Sequence, residues 1–213
     1  MTPSRLAAVI YRFAFALTAL AGIAVQLFWV SIPLGLGVVN FFSYFTILSN
    51  LFASIIFIIS AVRIMQEREP SALDVALRGA AVVYMVFVGI VFITLLRDVP
   101  LGGLKPWINL VHHYIMPVAV LLDWIIWAPR RKLSWRPVFA WMVFPIVYVI
   151  YSLIRGPITG FYAYPFFNPA VQGGYGGVAL YCFFMVIGFV LIAISVRAIG
   201  NARSKPAPPL RTR

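Results

Sequence analysis

Six long apolar runs alternate with short polar connections along this chain. They cover 6–30, 41–65, 74–96, 107–128, 137–155 and 175–199. A helix needs roughly 20 apolar residues to cross a bilayer. The runs are continuous, whereas the strands of a membrane β-barrel alternate apolar and polar positions. The pattern therefore predicts an all-α, polytopic membrane protein, a six-transmembrane-helix bundle filling residues 1–200. Too little chain remains between the runs for a soluble domain. The first run begins with a basic flank, as a signal peptide does. At about 25 residues it is longer than a signal-peptide core, so it is expected to stay as a span. The basic, proline-rich segment 201–213 predicts a disordered tail.

Polar residues interrupt two of the runs. In the second, Ser43, Thr46, Asn50 and Ser54 stand at spacings of 3, 4 and 4, which places them on one helical face. Lipid offers such groups no partners, so the face must look into the bundle, where helix-to-helix hydrogen bonding already explains most of it. The fourth run carries Asn109, His112, His113 and Asp123. Ionisable groups inside a span are costly and are often functional. Spans two and four run in the same direction. At about 1.5 Å of rise per residue, Thr46 and His113 are both expected roughly 8–9 Å below the outer ends of their helices. His112 and His113 lie about 100° apart around the helix, so at most one points straight at Thr46. Asp123, ten residues beyond His113, falls at the depth of Arg12 and Arg78 and is expected to form a structural ion pair with one of them.

Composition sharpens this picture. Hydrophobic residues make up 63% of the chain and charged residues only 10%, yet the net charge is +12. The Lys and Arg residues concentrate in alternate flanks: the N-terminus, the connections before spans three and five, and the C-terminus. Cytoplasmic segments of membrane proteins are enriched in Lys and Arg. Both termini are therefore expected in the cytoplasm of a multi-pass plasma-membrane protein, with 31–40, 97–106 and 156–174 outside. The same flanks attract anionic lipid headgroups, which accounts for the charge without nucleic acid. The single cysteine, Cys182, allows no intramolecular disulfide. Two adjacent histidines do not share a helical face, so no metal site is expected, nor any other cofactor. One midplane carboxylate and no internal repeat argue against a solute transporter. The connection 156–174 is rich in Pro, Gly and aromatics, as suits an interfacial belt or a lid over an outward pocket. Arg155 at its start is a candidate holder of a substrate carboxylate, or an interfacial anchor.

The segments FFSYFTILSNL in span two, HHYIMPVAVLLDW in span four and YAYPFF in the outer loop, taken in that order, resemble the androgen-induced family of six-helix membrane proteins. The layout is similar to that of the bacterial Pr6Pr-type members over essentially the whole chain. The resemblance implies an intramembrane threonine hydrolase acting on fatty-acid esters, with membrane lipids as partners and no cofactor. It implies Thr46 as nucleophile and His113, ten residues before Asp123, as base. The family's His-to-Pro spacing fits His112 instead, which stays as the alternative. Such an enzyme uses the imidazole to take the threonine proton, and water resolves the acyl intermediate. Ser43, Asn50, Tyr148, Tyr151, Arg155 and Tyr164 are the candidate substrate-pocket residues. The rival reading is a non-catalytic lipid-binding or structural membrane protein.

Overall fold

The computed structural model describes residues 2–100 and 103–204. Seven α-helices follow one another: α1 (Pro3–Ser31), α2 (Val38–Phe42), α3 (Phe45–Met65), α4 (Ala72–Leu96), α5 (Pro106–Ile126), α6 (Arg136–Thr159) and α7 (Tyr175–Arg203). All except the short α2 are long and apolar enough to cross a membrane. No strand occurs among the described residues. The chain is an all-α, six-span, multi-pass membrane protein.

Helix ends follow local chemistry. The Thr2 hydroxyl accepts from the Arg5 amide at the start of α1, and Pro3 supplies a preset φ in its first turn. Ser71 and Asp74 form a reciprocal capping box on α4. Gly160, at φ 71°, ends α6 in the left-handed region that glycine adopts without strain. In α5, Pro117 has no N–H to give the His113 carbonyl. The turn just before Met116, Val111–Ile115, is wound as π-helix.

The bundle is organised around α4, which packs on α3, α5, α6 and α7, while α1 lies along α3. Small residues admit bulky neighbours. The Trp141 indole fills the space beside Gly79, and a Cβ on Gly200 would come within 2.7 Å of Trp124. Close approach across small residues is how membrane helices gain contact, because lipid already solvates their apolar faces. One end of the bundle gathers the start of α1 and the end of α7 with the α3–α4 and α5–α6 connections. There Glu69 pairs with Arg5 and Arg130, and Trp127 Nε1 donates to the Ser4 carbonyl.

Two boundaries differ from the sequence reading. The second run, 41–65, is not one helix. The chain breaks at Ser43–Tyr44, and α3 begins at Phe45. Ser43 is therefore off the face shared by Thr46, Asn50 and Ser54, and Thr46 sits in the first turn of α3 rather than more than a turn inside it. The last helix continues to Arg203, three residues into the expected tail. The Asn201 side chain holds it there, accepting from the Leu133 amide at 2.7 Å and donating to the Leu133 carbonyl at 3.1 Å. Residues 205–213 of the expected tail lie outside the described residues.

Asp123 pairs with both arginines rather than one. Arg12 Nε donates to its Oδ1 at 2.7 Å, and Arg78 Nη2 donates to its Oδ2 at 2.7 Å. Arg78 Nη2 also reaches the Trp127 carbonyl at 2.9 Å, past the last turn of α5. All three side chains are buried, so this cluster ties α1, α4 and α5 at one depth. Asp123→Asn would leave two buried guanidinium groups without a counter-charge. The expected cost is about 3–5 kcal/mol, read as a fall in the thermal unfolding midpoint in detergent. A midpoint equal to that of the parent protein would refute the structural role.

Candidate functional site

The first amides of a helix have no partner within it. Tyr44 precedes α3 but provides no side-chain cap. Two phenols from elsewhere take that role. Tyr148 of α6 accepts from the Phe45 amide at 3.3 Å and donates to the Ser43 carbonyl at 2.8 Å. Tyr164, from the loop after α6, accepts from the Thr46 amide at 3.1 Å. Its hydroxyl also lies 3.2 Å from Thr46 Oγ1. Tyr164 is held in place by stacking on Phe166 and by an edge contact with Tyr44. Burial pushes its phenol up to about 12, so at neutral pH it is a protonated donor and not a base.

Thr46, Tyr148 and Tyr164 share the wall of a cavity of about 240 Å³. The remaining wall is apolar, formed chiefly by Phe45, Val88 and Val91, Phe166, Met185 and Phe189 of α3, α4, the loop and α7. Ile146 and Ile150 of α6 and Val186 of α7 also line it and are exposed on the outside of the bundle. The cavity thus adjoins the surface that faces lipid. Its volume is below the usual range for a drug-sized ligand, and suits a stretch of hydrocarbon whose remainder stays outside.

The other expected pocket residues lie away from this cavity. Ser43 Oγ bonds the Val39 carbonyl and Tyr151 OH, both at 2.7 Å. Arg155 Nη2 donates to Asn40 Oδ1 at 2.5 Å, and its guanidinium sits over the Phe161 ring at 4.9 Å. Ser43, Tyr151 and Arg155 therefore fasten the α2 segment to α6. Asn50 Nδ2 donates to the Thr46 carbonyl at 2.9 Å and to the His112 carbonyl at 3.3 Å. It joins α3 to α5 one turn beyond Thr46. Its Oδ1 is buried without a partner, as are the hydroxyls of Ser49 and Ser54.

The two histidines point to different neighbours, as the 100° offset requires. His112 Nε2 donates to the Ala19 carbonyl of α1 at 3.0 Å, in a recess where Gly22 leaves room for the ring. His113 Nδ1 donates to Asn109 Oδ1 at 2.7 Å, and its ring stacks on Phe92 of α4 with centroids 4.0 Å apart. That bond assigns the proton to Nδ1 and leaves Nε2 of a neutral His113 as the acceptor. Among the described residues, no hydrogen bond joins Thr46 to either imidazole, and neither histidine lines the cavity. The two helices do meet, through Asn50. No group of His, Cys, Asp and Glu suited to a metal occurs among the described residues.

Sequence reasoning missed the link between Thr46 and Tyr164, which are 118 residues apart. A usable signal existed: span two has no Ser, Thr, Asp or Asn immediately before Phe45 to cap it. No family model matches the chain, and no curated protein or solved structure does either.

Tyr164→Phe keeps the ring but removes both hydrogen bonds to Thr46. Losing a helix cap costs about 1 kcal/mol, so a fall of a few degrees in the thermal midpoint is expected. Tyr151→Phe, which leaves the α3 cap intact, is the control and should shift the midpoint less. An unchanged midpoint in Tyr164→Phe would show that Tyr164 does not cap α3.

Proposed function

We propose that this protein binds the acyl chain of a membrane lipid and hydrolyses a fatty-acid ester at Thr46. The observation that carries the reading is a threonine hydroxyl set in the wall of an otherwise apolar cavity beside the lipid-facing surface. An acyl chain enters between α6 and α7, and its carbonyl end meets Thr46. Thr46 Oγ attacks the carbonyl carbon, the C–O bond to the alcohol breaks, and the alcohol leaves with a proton. Water then releases the fatty acid and restores the hydroxyl. The protonated Tyr164 phenol is the nearest donor for the developing oxyanion. His113 is the proposed base, because its tautomer leaves Nε2 free to accept. A path from Thr46 to that nitrogen requires an intervening water or a rotation of the ring away from Phe92. The resemblance to the androgen-induced family supports the same pair of residues.

A second reading is favoured by the engagement of both imidazoles elsewhere: a lipid-binding protein without turnover. The two are separated with purified protein in detergent. On the first reading, a fluorophosphonate probe labels the parent protein, and Thr46→Ala abolishes labelling and lowers fatty-acid ester hydrolysis by about a thousandfold or more. Undiminished labelling or hydrolysis in Thr46→Ala would sink the assignment. On the second, the parent protein shows no turnover, yet native mass spectrometry detects bound lipid.

The distribution of Lys and Arg supports a topology with both termini in the cytoplasm. Alkaline phosphatase fused after residue 213 is then expected to be inactive, and the same enzyme inserted in 97–106 active. The reverse pattern would invert the topology.

A further inference from the structure

The end of the bundle where α1 begins and α7 ends holds a second, larger cavity of about 810 Å³. Eight arginines line it, against three carboxylates, Glu67, Glu69 and Asp74. Glu69 and Asp74 are already engaged, the first by Arg5 and Arg130, the second by Arg63. Arg68, Arg131 and Arg203 have no carboxylate partner among the described residues and stand at the cavity's exposed rim. Arg12 and Arg78 form the buried part of the lining, and the Asp123 carboxylate between them offsets only one of their two charges. Arg78 Nε, moreover, is buried with no hydrogen-bond partner. A residual positive charge and an unmet donor beneath a basic cavity are expensive in a low-dielectric site unless an anion enters.

We propose that this cavity binds a phosphate group, carried on an anionic lipid headgroup or free in solution. Guanidinium groups converge on it from α1, α4, α7 and both connections. A phosphate presents several acceptor oxygens in different directions, which matches such donors better than a single carboxylate does. The volume leaves room for a headgroup as well as the phosphate itself. The site is separate from the Thr46 cavity, with no lining residue in common.

The test uses the full chain in neutral detergent at constant ionic strength, with chloride as the balancing salt. Inorganic phosphate and dioctanoyl phosphatidate are titrated separately, and the thermal midpoint is followed. A ligand that binds only the folded protein raises the midpoint saturably. A response to phosphatidate alone assigns a lipid-borne phosphate; a comparable response to inorganic phosphate assigns the free ion. Combined Arg68→Gln, Arg131→Gln and Arg203→Gln is expected to weaken binding at least about tenfold, since each charged hydrogen bond contributes on that order. These residues make no ion pair, so the unliganded midpoint should stay near that of the parent; if it falls sharply, Arg131→Gln alone is held to the same criterion. No saturable response to either ligand, or undiminished binding by the variant, would overturn the proposal.

Discussion

Within a bilayer, a backbone or side-chain polar group has only the protein to turn to. That constraint organises this molecule. The break at Ser43–Tyr44 leaves the first amides of α3 without helical partners at residues buried inside the bundle. The phenols of Tyr148 and Tyr164 fill the gap, one from α6 and one from the loop that follows it. The same constraint acts at the other end of the bundle, where Asp123 is surrounded by Arg12, Arg78 and the turn at Trp127. Beside that cluster the Gly79 and Gly200 backbones leave room for the Trp141 and Trp124 rings.

The two polar centres differ in kind. The Asp123 cluster pairs buried opposite charges and holds three helices together. The Thr46 centre is neutral and built of hydroxyls, amides and an unpaired Asn50 oxygen. A neutral hydroxyl at the edge of an apolar cavity costs little to bury when a phenol shares its hydrogen bond. Charge is thus kept where it supports the scaffold and away from the space suited to hydrocarbon.

Much of the fold was legible in the chain. Continuous apolar runs are a strong signal because the bilayer sets a minimum length, and all six long helices fall within a few residues of those runs. The Asp123 partners were also readable, because depth alone brings three charges to one level; that the carboxylate serves two arginines at once was not. The break before Phe45 escaped notice because Phe41, Phe42, Tyr44 and Phe45 keep the run apolar across it. Depth arithmetic put Thr46 and His113 at one level, but it carries no information about direction around a helix. His113 faces Phe92 and His112 faces Ala19, and that depends on how α5 is rotated against its neighbours. The role of Tyr164 depends on a loop path that no local pattern encodes.

The dependence of α3 on Tyr164 has a consequence for biogenesis. The chain leaves the ribosome N-terminus first, so α3 enters the membrane long before residue 164 exists. Until α6 and its trailing loop arrive, the amides of Phe45 and Thr46 lack the partners they have in the finished bundle. The segment around Thr46 is then completed only after five of the six spans have been made. The cavity wall that holds the threonine hydroxyl is correspondingly a late product of assembly, closed by the same loop that caps the helix.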